Sequence, residues 1–168
     1  KTIQTFFQIL EDTHLGYLIP AYTRSARKSV KHQPKFYLFD RGIHRAMTGD
    51  LRTQLTPRSS AYGEAFEHFI VLEVIRLNSL LRKDYRVAHY QTTSGGEIDL
   101  ILTRGKEILA LEIKSSEKID PIRVNKLASA ASALKATKIY YISQDPVATK
   151  LNGVTCLPWQ KFMQLLSS

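Results

Sequence analysis

The sequence contains a single cysteine, Cys156, so a disulfide bond within the chain is excluded. A chain without disulfides suits a reducing compartment, and we expect a cytoplasmic protein. No apolar run approaches the roughly 20 residues that a membrane span requires, and no signal peptide is visible. Because residue 1 is a lysine rather than a methionine, we expect the chain to be part of a longer protein.

Several motifs that carry chemistry in other proteins are also missing. The chain has no Gly-x-x-x-x-Gly-Lys-Ser/Thr loop, which excludes a P-loop nucleotide site within it. It has no Gly-x-Ser-x-Gly elbow, which argues against a serine hydrolase. The histidines show no metal-ligand spacing, so surface or packing roles are the better interpretation. They are His14, His32, His44, His68 and His89.

Positive charge is what the chain has in excess, with 24 lysines and arginines against 15 acidic residues and a net charge of +9. A basic domain favours an anionic partner, and nucleic acid, here DNA, is the first candidate. Much of the excess lies in one short segment without hydrophobic periodicity, which predicts a loop. Contact with a phosphate backbone and a solvated loop both remain open for it. Its basic residues are Arg24, Arg27, Lys28, Lys31 and Lys35.

The pattern of apolar residues divides the chain into two predicted units. Residues 1–50 read as a helix ending near Thr13, a strand at 17–20, the basic loop, a strand at 36–39 and a short helix capped by Asp40. This order is compatible with a small winged-helix-like unit. Residues 51–62 are rich in turn-forming residues and predict a linker.

Residues 63–168 form the second predicted unit, in the order α-β-β-β-α-β followed by a weaker strand and a closing helix. A meander of three strands and a helical crossover predicts an α/β fold, with a mixed sheet flanked by helices. The predicted elements are 64–81, 85–91, 97–103, 108–115, 121–134, 138–143, 154–157 and 158–166.

Two acidic residues and a lysine fall on neighbouring strands of this unit. Strand periodicity places Glu112 and Lys114 on one face of the third strand. Asp99 lies near the start of the second strand, so an antiparallel hairpin brings it close to Glu112 at the end of the third. The same alternation assigns Ile98 to the opposite face, away from Asp99. The sequence therefore predicts a cluster of carboxylates with one lysine beside it.

Such a cluster suits a divalent cation that prefers oxygen ligands, Mg²⁺ or Mn²⁺. Asp99 and Glu112 would be its ligands, with the carbonyl of Ile113 as a third. The cation would polarise a phosphate and lower the pKa of a bound water. Lys114 would orient that water and offset charge in the transition state, and a neighbouring cation would lower its pKa.

With these residues the second unit resembles the PD-(D/E)XK nuclease superfamily, whose restriction-endonuclease-like core has the order α-β-β-β-α-β. Asp99 and Glu112-Ile113-Lys114 match the acidic residues and lysine of its second and third strands. In archaeal Holliday-junction resolvases of this superfamily, a glycine precedes the acidic residue of the first helix by four positions. Gly63 and Glu67 have that spacing, so the resemblance implies that Glu67 joins the metal site.

The whole chain also resembles a domain of unknown function at the C-terminus of many prokaryotic AAA-type ATPases. Four segments carry this resemblance in order: 36–42, 63–69, 97–100 and 111–116. The resemblance implies that an ATPase domain lies upstream in the full-length protein.

Three functions follow as hypotheses. The first is a Mg²⁺-dependent nuclease-like module that hydrolyses DNA, with Glu67, Asp99 and Glu112 as metal ligands and Lys114 as the assisting base. The second is an inactive module that binds nucleic acid or protein for the ATPase domain. The third is a structural or oligomerisation role beside an ATPase ring.

Overall fold

The computed structural model describes residues 2–23, 33–91 and 96–168. A mixed six-stranded sheet lies between helices, and a two-stranded antiparallel sheet stands beside it. The predicted α/β class and the mixed sheet flanked by helices are confirmed. None of the helices in the described residues combines the length and the apolar character needed to cross a membrane.

The N-terminal part of the chain has the predicted order of helix, strand, strand and helix. These elements are α1 (Thr2–Asp12), β1 (Gly16–Ile19), β2 (Lys35–Leu38) and α2 (Arg41–Met47). As predicted, Asp40 caps α2, because its side chain accepts a hydrogen bond from the backbone N–H of Ile43 at 2.9 Å. Strands β1 and β2 pair antiparallel, and the winged-helix interpretation of this order stays a prediction.

The two-stranded sheet is joined to the larger one rather than set apart from it. Ala21 forms a parallel bridge with His89, whose backbone N–H donates to the carbonyl of Pro20 at 3.0 Å. Ile19 and Tyr37 are buried in the same apolar cluster as the main sheet. The β1–β2 hairpin is therefore held against the part of the protein that carries the candidate site.

Gly16 in β1 leaves room for the aromatic ring of Phe36 in β2. A Cβ atom on Gly16 would overlap the ring of Phe36, which packs edge-on against Phe7 with ring centroids 4.9 Å apart. We expect Gly16→Ala to lower the free energy of unfolding by about 1–3 kcal/mol, since Phe36 must leave this contact. Urea denaturation would measure the change.

The control for this substitution is Gly63→Ala, in the first turns of a helix. There the nearest described atom to an added Cβ would be the hydroxyl oxygen of Ser115, at an ordinary 3.7 Å. Alanine is the better helix former, so Gly63→Ala should raise stability by roughly 0.5–1 kcal/mol. A Gly16→Ala protein as stable as the wild type would contradict the tight packing of Phe36.

The larger part of the chain follows the predicted order, with one additional short strand, β7. Its elements are α3 (Ser60–Leu80), β3 (Arg86–Gln91), β4 (Glu97–Arg104), β5 (Glu107–Ile113), α4 (Pro121–Ala133), β6 (Lys138–Ser143), β7 (Thr149–Leu151), β8 (Val154–Pro158) and α5 (Trp159–Ser167). The strand order across the sheet is β3-β4-β5-β6-β8-β7. Strand β6 runs parallel to β5 and β8, and the other pairs are antiparallel.

Helix α3 begins four residues earlier than the apolar pattern predicts. Ser59 is the N-cap, and its hydroxyl accepts a hydrogen bond from the backbone N–H of Tyr62 at 3.2 Å. Serine is a favoured N-cap, and this local signal overrides the turn-forming composition of the segment. Residues 60–62, which the sequence assigned to a linker, therefore form the first turn of α3.

Two apolar clusters, one on each face of the sheet, hold the helices in place. Helices α3 and α5 cover one face through residues such as Ile70 and Phe162. Helix α4 covers the other through Val124, Leu127 and Ala131. Strand β5 is therefore covered on both sides, and its residues between Glu107 at the start and Glu112 near the end are all apolar.

A register shift in β4 corrects the predicted position of Ile98. Ala88 pairs with Ile101 and Tyr90 with Ile98, so two steps along β3 match three along β4. The extra residue falls between Ile98 and Ile101, in the stretch that contains Asp99, and breaks the strict alternation of faces. Ile98 consequently packs with Ile101 in the cluster under α4, and its predicted opposite face is wrong.

Candidate functional site

The side chains of Asp99, Glu112 and Lys114 meet where the start of β4 lies beside the end of β5, as the strand pattern predicts. The ammonium Nζ of Lys114 lies 3.1 Å from Oδ2 of Asp99 and 2.8 Å from Oε1 of Glu112. The two carboxylate residues are only 5% and 9% exposed. One lysine thus pairs with two buried acidic residues.

The backbone holds this arrangement from two sides. Oδ2 of Asp99 accepts a hydrogen bond of 2.6 Å from the backbone N–H of Ile113, which ties β4 to β5. Strand β5 ends at Ile113 rather than at the predicted Ser115. The backbone N–H of Lys114 still donates to the carbonyl of Ile142 on β6, so Lys114 is fixed just beyond the strand.

Burial and charge alter the protonation of all three groups. Burial, with the nearby charge of Asp99, raises the pKa of Glu112 to about 7. Burial also raises the pKa of Asp99, against the lowering effect of Lys114. For Lys114 burial lowers the pKa, but the charges of both carboxylates and hydrogen bonds to them outweigh burial and raise it. The lowered pKa predicted for Lys114 presupposes a neighbouring divalent cation, and the carboxylates alone have the opposite effect.

The raised pKa of Glu112 predicts a pH-dependent stability. Glu112 binds a proton more readily in the folded protein, so its contribution to the free energy of unfolding falls as pH rises from about 4.5 to about 7. One pKa unit is about 1.4 kcal/mol, so between pH 5 and 8 the wild type should lose roughly 2–3 kcal/mol more than Glu112→Gln. Urea denaturation at the two pH values measures this difference.

A matched control for that measurement is Glu64→Gln. Glu64 is exposed and accepts a hydrogen bond from the hydroxyl of Ser60, at 3.1 Å. The free energy of unfolding of the Glu64→Gln protein should change between the two pH values as much as that of the wild type. Equal losses of stability in Glu112→Gln and in the wild type would contradict the raised pKa of Glu112.

Glu67 lies beside this cluster and is held by the N-terminal hairpin. The hydroxyl of Tyr37 donates to Oε1 of Glu67 at 2.9 Å, and Nζ of Lys35 lies 3.5 Å from the same oxygen. Lys35 also contacts Oε1 of Glu97 at 2.5 Å. The charge of Glu67 contributes to the raised pKa of Asp99, which places Glu67 within electrostatic reach of the cluster.

An open cleft of about 830 Å³ leads to the buried acids from the side of α4. Asp99, Glu112 and Lys114 lie along one wall. Arg123 and Lys126, both exposed, lie along the other, one helical turn apart on α4. Cations on a wall opposite a carboxylate cluster can hold an anionic ligand in the space between them.

The donor set fits a hard divalent cation in kind. Asp99 and Glu112 offer carboxylate oxygens, the ligands that Mg²⁺ prefers, and their burial calls for a positive charge beside them. Among the described residues, however, no three histidine, cysteine or acidic side chains converge closely enough to hold a metal. The ammonium of Lys114 provides the positive charge, and a metal would have to share the two carboxylates with it.

Of the five residues of the predicted basic segment, the structure describes Lys35, whose ammonium pairs with Glu67 and Glu97. The remaining basic residues of that prediction lie outside the part of the chain that the structure describes. They are Arg24, Arg27, Lys28 and Lys31.

The sequence did not predict a role for two residues around the site. Tyr37 contacts Glu67, and Glu97 contacts Lys35. Alternation along β2 could have paired Tyr37 with Lys35, and alternation before Asp99 could have drawn attention to Glu97. Nothing in the sequence signals that the hairpin reaches α3.

Comparison with known protein families gives two matches. Residues 1–54 match the domain of unknown function DUF8612. Residues 62–162 match the domain of unknown function DUF4143, which often occurs in proteins associated with AAA-type ATPases. A search of curated proteins finds no match. Because the second match spans more than half of the chain and includes Glu67, Asp99, Glu112 and Lys114, the chain belongs to the DUF4143 family.

Proposed function

We propose that the chain is a nuclease-like module that hydrolyses phosphodiester bonds of DNA with the help of Mg²⁺ or Mn²⁺. The observation that carries this proposal is the buried cluster of Asp99, Glu112 and Lys114 at the end of two strands, open to a cleft. Buried carboxylates with a raised pKa cost stability, and such groups concentrate at functional sites. The resemblance to PD-(D/E)XK nucleases rests on the same residues.

Each side chain has a definite task in this proposal. Asp99 and Glu112 hold the cation, and Glu67 adds negative charge beside Asp99. Lys114 orients the attacking water and stabilises the negative charge that develops on the phosphate. Arg123 and Lys126, on the opposite wall of the cleft, hold the phosphates on either side of the bond to be cut.

When bound, the cation would supply a Lewis acid that polarises the phosphate and makes water a better nucleophile at neutral pH. The carbonyl of Ile113 is the proposed third ligand from the protein. Its backbone N–H already anchors Asp99, so Ile113 couples the two strands that provide the carboxylates.

The proposal also assigns the module a partner. As a DUF4143 domain it would act beside an AAA-type ATPase domain of the full-length protein, in the cytoplasm. ATP hydrolysis would then belong to that domain, since the chain has no P-loop.

The test is cleavage of branched, single-stranded and double-stranded DNA by the wild-type chain with millimolar Mg²⁺ or Mn²⁺. We expect cleavage of at least one substrate with either metal, and none with EDTA. A protein that binds no Mn²⁺ in calorimetry and cuts none of the three substrates would overturn the proposal.

One observation favours a second function, that of a binding module without catalysis. Lys114 already pairs with both Asp99 and Glu112, and no group of three metal-ligating side chains converges in residues 2–23, 33–91 and 96–168. Such a module would bind DNA with a steep dependence on salt and leave it intact. The same cleavage assay, run beside a DNA-binding titration at two salt concentrations, separates the two functions.

A further inference from the structure

The β1–β2 hairpin reaches into the candidate site from outside the DUF4143 region. Tyr37 and Lys35 lie on β2, within the segment matched by DUF8612, yet both contact Glu67 of α3. Thirty residues separate Tyr37 from Glu67 in the chain. The contact is therefore a tertiary one, made where two family segments meet.

Both contacts involve the same oxygen of Glu67. The hydroxyl of Tyr37 donates to Oε1, and the ammonium of Lys35 is nearest to Oε1, whereas Oε2 has no hydrogen-bond partner among the described residues. A carboxylate fixed through one oxygen keeps the other for a ligand, and such supporting contacts commonly orient metal ligands in proteins. Tyr37 is only 8% exposed, so packing restricts its ring, and its hydroxyl is held in place to orient Glu67.

The hairpin also links Glu67 to the cleft. Lys35 joins Glu67 to Glu97, and Glu97 lines the cleft together with Asp99. Glu67 itself is not among the described residues that line the cleft. In the described part of the chain, Tyr37 and Lys35 are the side chains that contact the Glu67 carboxylate, whose charge acts on Asp99.

We propose that Tyr37 is a positioning residue of the site, which holds Glu67 through Oε1 so that the carboxylate can assist in binding a divalent cation. This inference rests on the proposed function, and it makes the hairpin a functional part of the DUF4143 site. The DUF8612 segment would then be required for tight metal binding, and its role would extend beyond stability.

The test is a double-mutant cycle on Mn²⁺ affinity, measured by calorimetry on the whole chain. Tyr37→Phe and Glu67→Gln should each weaken Mn²⁺ binding by about three- to tenfold, and the double variant should be no weaker than Glu67→Gln alone. If Tyr37 had a purely structural role, the losses of Mn²⁺ affinity in the two single variants would add up in the double variant. Thermal melting of every variant checks that each one is folded.

The matched control is Tyr85→Phe. Tyr85 also donates a hydrogen bond to a glutamate, Oε2 of Glu107 at 2.7 Å. It directly precedes Arg86, which pairs with Thr103 at the opposite end of β4 from Asp99. Its Mn²⁺ affinity should equal that of the wild type. Unchanged affinity in Tyr37→Phe, or a loss that adds fully to that of Glu67→Gln, would overturn the positioning role and leave the proposed function standing. A wild type that neither binds Mn²⁺ nor cuts DNA would overturn both.

Discussion

Replacing Lys114 with alanine is expected to reduce the rate of DNA cleavage by about 10²–10³-fold, the usual cost of removing a group that stabilises transition-state charge. The same change should destabilise the fold. Asp99 and Glu112 would remain as two buried carboxylates without their shared counter-ion. Breaking a buried ion pair from one side costs about 3–5 kcal/mol, and we expect the lower end because the Lys114 side chain is 24% exposed.

Two measurements separate these effects in Lys114→Ala. Low pH should restore part of the lost stability, because both carboxylates then take up protons, and Mn²⁺ should raise the melting temperature of the variant more than that of the wild type. The control is Lys138→Ala, which removes an exposed lysine paired with Glu107 at 3.0 Å and should keep full activity. Wild-type rates of cleavage in Lys114→Ala would refute the assigned mechanism.

Asp99→Asn should have the opposite effect on stability and a similar effect on activity. In the wild type, one lysine faces two buried carboxylates, so the asparagine removes the excess negative charge. Burial disfavours the charged form of Asp99, and an amide oxygen can still accept the hydrogen bond from the backbone N–H of Ile113. We expect a melting temperature equal to or above that of the wild type, with cleavage reduced about 10²–10³-fold.

Asp84→Asn is the matched control for Asp99→Asn. Asp84 is exposed in the turn before β3 and has a positive φ of 58°, a conformation that asparagine also adopts. It should change neither stability nor cleavage. A strongly destabilised Asp99→Asn protein would show that the charge of Asp99 stabilises the fold. Full activity in Asp99→Asn would show that Asp99 is not part of the proposed metal site.

The contrast between the two substitutions distinguishes a catalytic cluster from a structural one. A cluster that serves stability would lose stability on removal of either charge. A cluster that serves binding of a cation keeps more negative charge than its lysine can balance, at a cost to the fold. If stability falls in Lys114→Ala but is unchanged or higher in Asp99→Asn, the cluster serves binding of a cation.

Local patterns were enough to predict most of the secondary structure. The predicted helices at 64–81 and 121–134 correspond to α3 (Ser60–Leu80) and α4 (Pro121–Ala133). Capping and periodicity act over three or four residues, so they can be read from a short stretch of sequence. Strand alternation likewise placed Glu112 and Lys114 on one face, and the ion pair between them agrees with that placement.

The sequence alone determined which residues form the cluster, because Asp99, Glu112 and Lys114 come together through local alternation and one antiparallel hairpin. Only the tertiary structure decided the position of Ile98, since the extra residue in β4 depends on its pairing with β3. Only the tertiary structure placed Tyr37 and Lys35 against Glu67. These contacts join segments some thirty residues apart through packing of the hairpin on α3, and no short-range pattern in the sequence encodes that packing.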